Sequence, residues 1–119
     1  MIIRDNEMDR VNQENYAGGN GVIEFKAIVP DECLKDEAKI FKVLTFQKGA
    51  GIGDHAHVDN YEIYYILQGK GIAVDNGEEI EVGPGDVVYT ADGATHSIRD
   101  AGNGDLVMLA AVIFENKAE

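Results

Sequence analysis

The stretch GAGIGDHAHVDNYEIYYILQG, residues 49–69, carries two of the chain's three histidines, His55 and His57, and then a carboxylate, Glu62. Because His55 and His57 are two apart, both imidazoles project from one face of an extended strand. Glu62 follows across a short turn. The third histidine, His96, stands thirty-four residues beyond Glu62 and is placed to arrive from another strand. Every histidine of a histidine-poor chain thus falls into one pattern with a carboxylate, which scattered surface or core histidines do not account for. Three neutral imidazoles and one carboxylate suit a borderline first-row divalent ion: Mn, Fe, Co, Ni or Zn. They leave one or two positions of a five- or six-coordinate sphere for water, oxygen or substrate.

Gly49, His55, His57, Glu62 and Gly69 stand at spacings that resemble the complete first motif of the cupin family, and Gly85, Gly93 and His96 resemble its second motif. Two positions of the second motif depart from the pattern, Ala91 where the family usually has Pro and Asp100 where it usually has Asn. The Pro stiffens a turn and the Asn is commonly outside the ligand set, so both departures leave the ligands intact. The resemblance is strong over residues 49–100 and rests on strand pattern alone in the flanks. It implies an all-β fold, a small double-stranded β-helix or jelly-roll barrel, with His55, His57, Glu62 and His96 as ligands of one divalent transition metal. A small-molecule ligand would share the barrel with that metal.

Outward from the motifs, short apolar stretches alternate with turn signals, and nothing has the length and period of a substantial helix. Strands are expected at residues 22–29, 39–47, 61–68, 97–100 and 105–114, with 30–37 polar and turn-like and 49–54 a loop leading into the first ligands. Asn76-Gly77 predicts a hairpin tip of type I′, because both residues tolerate positive φ. Gly83-Pro84-Gly85-Asp86 predicts another tight turn. Eight to ten short strands argue for a sandwich or barrel, and the metal motif selects the barrel. At 119 residues the chain accommodates one domain, residues 1–119, with the N-terminal arm and first strands in 1–48.

Period-two alternation predicts which side chains face the pocket. If Glu62 points inward, Tyr64, Ile66 and Gln68 share its face, while Ile63, Tyr65 and Leu67 point outward. Tyr64 is the candidate to orient a bound oxygen through its phenol; the plainer alternative is a core aromatic between the sheets. Tyr89, in the strand before the second motif, is a further candidate. From His96 the same rule turns Ile98 and Asp100 inward and Arg99 outward. For residues 41–47 the inward face stays open between Phe41, Val43, Thr45, Gln47 and Lys42, Leu44, Phe46.

The charge balance, 10 Lys and Arg against 22 Asp and Glu, gives a net charge of −12. Such a surface repels phosphate backbones and anionic membranes, so neither nucleic acid nor a membrane is expected as a partner. A divalent ion held by three imidazoles and one carboxylate keeps a local charge near +1, so the pocket still accepts an anion. No apolar run spans a bilayer and the N-terminus lacks the layout of a signal peptide, which makes the cytoplasm the expected location. The single Cys33 allows no intrachain disulfide and fits a reducing compartment. Residues 106–114 are apolar without alternation, so both faces of that strand must be covered. Residues 1–30 or a second subunit could supply the outer cover; since small cupins are commonly dimers, the resemblance implies a homodimer.

The expected function is a metal-dependent enzyme acting on a small oxygen-bearing molecule, dioxygenase-like, decarboxylase-like or isomerase-like. The alternatives are a ligand-binding or sensing module with a bound metal, and a purely structural metal. The four-ligand set resembles that of oxalate decarboxylases, germin-type oxidases and several dioxygenases. Oxalate decarboxylases carry an arginine three residues before the first histidine, and that position is Ile52 here. Thiol dioxygenases generally lack the glutamate that stands as Glu62. Phosphosugar isomerases of the superfamily carry a glutamine in the His-x-His pair, which this chain keeps.

Overall fold

A computed structural model describes residues 1–115 of the chain; residues 116–119, the end of the 1–119 span expected as one domain, lie outside it. Ten strands are described: β1 (Asp9–Glu14), β2 (Val22–Ala27), β3 (Ala38–Phe46), β4 (Gly51–Ala56), β5 (Asn60–Gln68), β6 (Gly71–Asp75), β7 (Glu78–Val82), β8 (Val87–Thr90), β9 (Thr95–Asp100) and β10 (Leu106–Phe114). They form two antiparallel sheets, a six-stranded one in the order β1-β2-β3-β10-β5-β8 and a four-stranded one in the order β4-β9-β6-β7. This is the all-β jelly-roll barrel that the motifs imply. Between β6 and β7 the tip residues Asn76 and Gly77 have φ of 49° and 89°, the doubly left-handed geometry of a type I′ turn.

The inner faces bury one apolar cluster that includes Ile23, Phe25, Leu44, Phe46, Ile66, Ile98, Leu106 and Met108. Each fully buried large aliphatic or aromatic side chain contributes about 1.5–3 kcal/mol against the entropy of ordering it. Leu44 and Phe46 are buried, so the inward face of β3 is the one that carries Lys42, Leu44 and Phe46. On β9 His96, Ile98 and Asp100 are buried and Arg99 is exposed, as alternation requires. Asp100 Oδ2 accepts from the backbone N–H groups of Gly49 and Gly104, 3.0 Å each, and so ties two turns together.

Three bulges interrupt the alternation, and each changes what faces the interior. Opposite β9, Ile52 pairs with Ile98 and His55 with His96, so β4 holds one more residue than its partner over this span. That extra residue lets Ile52 and His55 face the same side despite an odd separation. On β5, Val107 pairs with Gln68 and Met108 with Ile66, which makes Leu67 an extra residue. Gln68, expected inward, is therefore turned out and exposed at the strand end. On β3, Ala38 pairs with Ile113 and Ile40 with Val112, so Lys39 is the extra residue.

Two strands go beyond what was expected. β4 starts inside the stretch 49–54 read as a loop and runs into the extended segment expected at His55, and β1 forms from the wholly exposed run Asp9–Glu14. With no apolar face, β1 offers no period to read; it exists because its backbone pairs with β2 at the sheet edge. The N-terminal segment therefore extends the sheet beside β2.

Candidate metal centre

His55 lies on β4, His57 just past its end, Glu62 on β5 and His96 on β9, so the two sheets bring the four side chains together from three strands. Their ligand-type atoms all lie within 4.8 Å of one another. Glu62 Oε1 is 2.8 Å from His96 Nε2, 2.9 Å from His57 Nε2 and 3.4 Å from His55 Nε2. His96 Nε2 also stands 2.8 Å from His55 Nε2 and 3.0 Å from His57 Nε2. Donors about 2.0–2.2 Å from a common ion, at right to tetrahedral angles, would be separated by roughly 2.8–3.6 Å, so this cluster could hold a metal ion.

The far nitrogen of each ring makes the case sharper. His55 Nδ1 is 2.7 Å from the Gly53 carbonyl, His57 Nδ1 2.6 Å from Asn60 Oδ1 and His96 Nδ1 2.8 Å from Thr90 Oγ1. The Gly53 carbonyl and Asn60 Oδ1 only accept, so the Nδ1–H of His55 and of His57 donates to them, and Thr90 Oγ1 can accept likewise from His96. With a metal bound the Nε2 lone pairs would face it, whereas in the metal-free cluster Nε2–H groups donate to Glu62. Asn60 and Thr90 were not singled out from sequence. Thr90 stands opposite Glu62 across the β5–β8 ladder, a neighbour that only strand register reveals.

Glu62 is buried, which alone would raise its pKa, but hydrogen bonds from His55 and His96 and the charges of His96 and His57 hold it down at about 2. Burial works against a charge on His55 as well; there the hydrogen bond to Glu62, the Gly53 carbonyl and the charges of Glu62 and Asp54 win and raise it. At His96 burial wins, and the pKa is lowered.

A cavity of about 260 Å³ opens on His55, His57 and Glu62. Tyr64 lines it and is fully buried, its ring stacked on that of His96 at 4.7 Å and its hydroxyl 3.3 Å from His96 Nε2. Burial and the charge of Glu62 raise the phenol well above its usual range, so it remains a donor. It is at once a core aromatic and a cavity group. Tyr89 is not: Thr90 is the buried residue there, and alternation turns Tyr89 to the outer face, 59% exposed and against Tyr61.

The rest of the lining is mainly apolar, with Phe25, Ile40, Leu44, Ile52 and Val112 prominent. Two polar residues of it also escaped the sequence. The bulge re-aims Lys39 to the exposed rim, and Tyr16 arrives from the turn Tyr16–Gly18 before β2. Neither the polar stretch around Tyr16 nor the alternation of the expected strand 39–47 signals these placements.

A small jelly-roll barrel with three imidazoles and a carboxylate gathered at an interior cavity defines a class of protein, and the comparisons name it. A family model described as a cupin domain matches residues 42–112, and the chain belongs to the cupin family. An "oxalate-binding protein" of Thermotoga maritima is 36% identical over 113 residues, 95% of this chain and 93% of that protein. A crystal structure from Thermotoga maritima, described as a predicted oxalate decarboxylase, superposes with a TM-score of 0.90 at 36% identity over 97% of this chain and 100% of that one. KdgF from Halomonas sp., 18% identical with a TM-score of 0.77 over 98% of this chain and 96% of its own, shares the fold.

Proposed function

We propose that this protein holds one divalent transition metal on His55, His57, Glu62 and His96, and is an enzyme acting on a small oxygen-bearing acid bound in the adjoining cavity. The observation that carries the reading is that three separate oxygens, from Gly53, Asn60 and Thr90, turn all three Nε2 atoms toward Glu62 at the cavity wall. When bound, such an ion supplies Lewis-acid polarisation of the acid's oxygens and, for iron or manganese, a redox centre. Tyr64 would donate a hydrogen bond to an acid oxygen, and Lys39 at the rim would favour entry of an anion in an otherwise acidic protein. The apolar lining keeps water from competing for those contacts.

The second reading is a module that binds its acid without turnover. The name of the Thermotoga maritima relative supports it, and so does the buried apolar Ile52 at the position where decarboxylases of the family carry arginine. Among the described residues no helix is long and apolar enough to cross a membrane; a cytoplasmic location is proposed from the sequence.

A homodimer is also proposed. Across β3, β10, β5 and β8 the outer-face residues Val43, Leu109, Tyr65 and Val87 stand in one cross-strand row, and Phe41, Ala111, Ile63 and Tyr89 in the next. Tyr65 is 42% and Val87 56% exposed. Such an apolar band suits a self-complementary contact.

The test loads the protein with Mn, Fe or Zn and offers small carboxylates, diols and catechols under air and under nitrogen, with mass spectrometry as the readout. Turnover with any metal supports the enzyme. Tight binding without turnover under every condition gives the binding module, and binding of none leaves a structural metal.

A further inference from the structure

The turn that carries Tyr16 is fastened to the very strand that carries His55. Asn20 and Gly51 exchange backbone hydrogen bonds of 2.8 and 3.1 Å, and Asn20 Nδ2 donates to the Gly49 carbonyl at 2.9 Å. At the turn's base the Asn15 N–H donates to the Gly21 carbonyl, and the Gly21 N–H donates to Asn15 Oδ1. The two backbones lie so close that a Cβ on Gly19 would collide with the Gly51 carbonyl, and one on Gly53 with the Ala17 carbonyl. Asn15 and Ala17 adopt left-handed backbone, φ 55° and 53°, a costly conformation for alanine that only the surrounding contacts sustain. Tyr16 sits between these two residues, half-buried, its ring against Phe25 at 4.8 Å and its side chain in the cavity lining.

This fixed wall bears on what the cavity takes. Near His55, His57 and Glu62 the lining is polar, but Phe25, Ile40, Leu44, Ile52 and Val112 continue it as apolar surface. Oxalate, with no carbon that is not a carboxylate, would leave that surface without contacts. A ligand with an apolar body would use it.

We propose that Tyr16 is the specificity-determining residue of the cavity, and that the ligand is a 2-oxo or 2-hydroxy monocarboxylate whose oxygens meet the metal-centre end while a short apolar chain packs against Tyr16, Phe25 and Leu44. The inference rests on the reading of the site as a metal centre that binds acids. Tyr16 is not one of the proposed metal ligands, although burial and the charge of Glu62 raise the pKa of its phenol; its ring beside Phe25 sets the length and character of the chain that fits.

The experiment is calorimetric titration of the metal-loaded protein with oxalate and with 2-oxo acids of increasing chain, pyruvate, 2-oxobutanoate and 2-oxopentanoate. In the wild type, affinity should rise by about fourfold for each methylene added, the value of moving that group out of water. Tyr16→Ala should flatten the series while oxalate affinity stays within about twofold, and Tyr16→Phe should keep the rise. A flat wild-type series, or oxalate bound more tightly than every 2-oxo acid, overturns the proposal without any variant. An equal loss for all acids in Tyr16→Ala also overturns it, since that is the mark of a merely structural residue. Should none of the acids bind the loaded wild type, the underlying reading of the site fails instead.

Discussion

His96 is held by two contacts of different kinds, the Thr90 hydroxyl at its Nδ1 and the Tyr64 ring stacked on its face. Thr90→Val keeps the volume and removes the acceptor, leaving an Nδ1–H unpaired at a site of 0% exposure. The expected outcome is a loss of about 1–3 kcal/mol in stability and of about 10–100-fold in metal affinity, read by chelator competition. An unchanged affinity would mean that the hydroxyl does not fix the ring. At the same scale protons compete with metal. With its folded pKa raised above 6.5, His55 stabilises the metal-free fold fully below that value, and the contribution is lost as pH rises through the raised pKa. Glu62, lowered to about 2, stabilises it above 4.5 and stops doing so as pH falls toward 2. His96, lowered, opposes folding as pH falls below 6.5. Because metal must displace the proton on His55, the gap in Tm between metal-loaded and metal-free protein should widen from about pH 6 to about pH 8. A gap that narrows over that range would contradict the assignment of His55 as a ligand.

At the scale of elements, β4 works as a bulged strand with the Tyr16 turn laid directly on its backbone. Gly53 serves both arrangements: its carbonyl accepts from His55, and its missing Cβ admits the Ala17 carbonyl. Gly53→Ala should therefore cost about 1–3 kcal/mol, the range for forcing volume into a packed contact. Gly83→Ala is the control, since nothing lies near its Cβ position, and it should stay within about 0.5 kcal/mol. Denaturant midpoints for the two variants measure the contrast, and equal values would show that the turn is not locked. Element boundaries were legible where the burial is one-sided. β2, β3, β5, β9 and β10 each match an expected stretch to within two residues at either end. The wholly exposed β1 offered nothing to read.

For the whole molecule, the burial along β10 explains its sequence. Leu106, Met108, Ala110 and Val112 face the core, while Val107, Leu109 and Ile113 on the outer side are only half-buried. With the N-terminal segment placed at the sheet edge beside β2, a second copy is the proposed cover for that outer face. Light scattering at micromolar concentration should report a dimer, and Tyr65→Asp should convert it to a folded monomer that still binds metal. A wild-type monomer under those conditions would end the proposal. Metal at about one hundred times its Kd should also raise the stability of the whole fold by about 2.7 kcal/mol, measurable as a higher Tm that a chelator reverses.

Residue type and spacing singled out His55, His57, Glu62 and His96, four side chains that the fold brings within 4.8 Å, and the resemblance of those spacings to known motifs pointed to the family. That was possible because ligand chemistry restricts identity, and strand periodicity restricts position, over a span of a few dozen residues. Tertiary structure alone decided that Gln68 turns out, that Lys39 reaches the rim and that Ile52 shares a face with His55. Each follows from a bulge, and a bulge is set by the register of the partner strand and leaves no mark in residue type. The placement of Tyr16 and Thr90 was equally beyond reach. Thr90 is close to His96 in sequence but lies on the other sheet, and the Tyr16 turn rests on the distant strand β4, so only closure of the two sheets brings them to His96 and to the cavity.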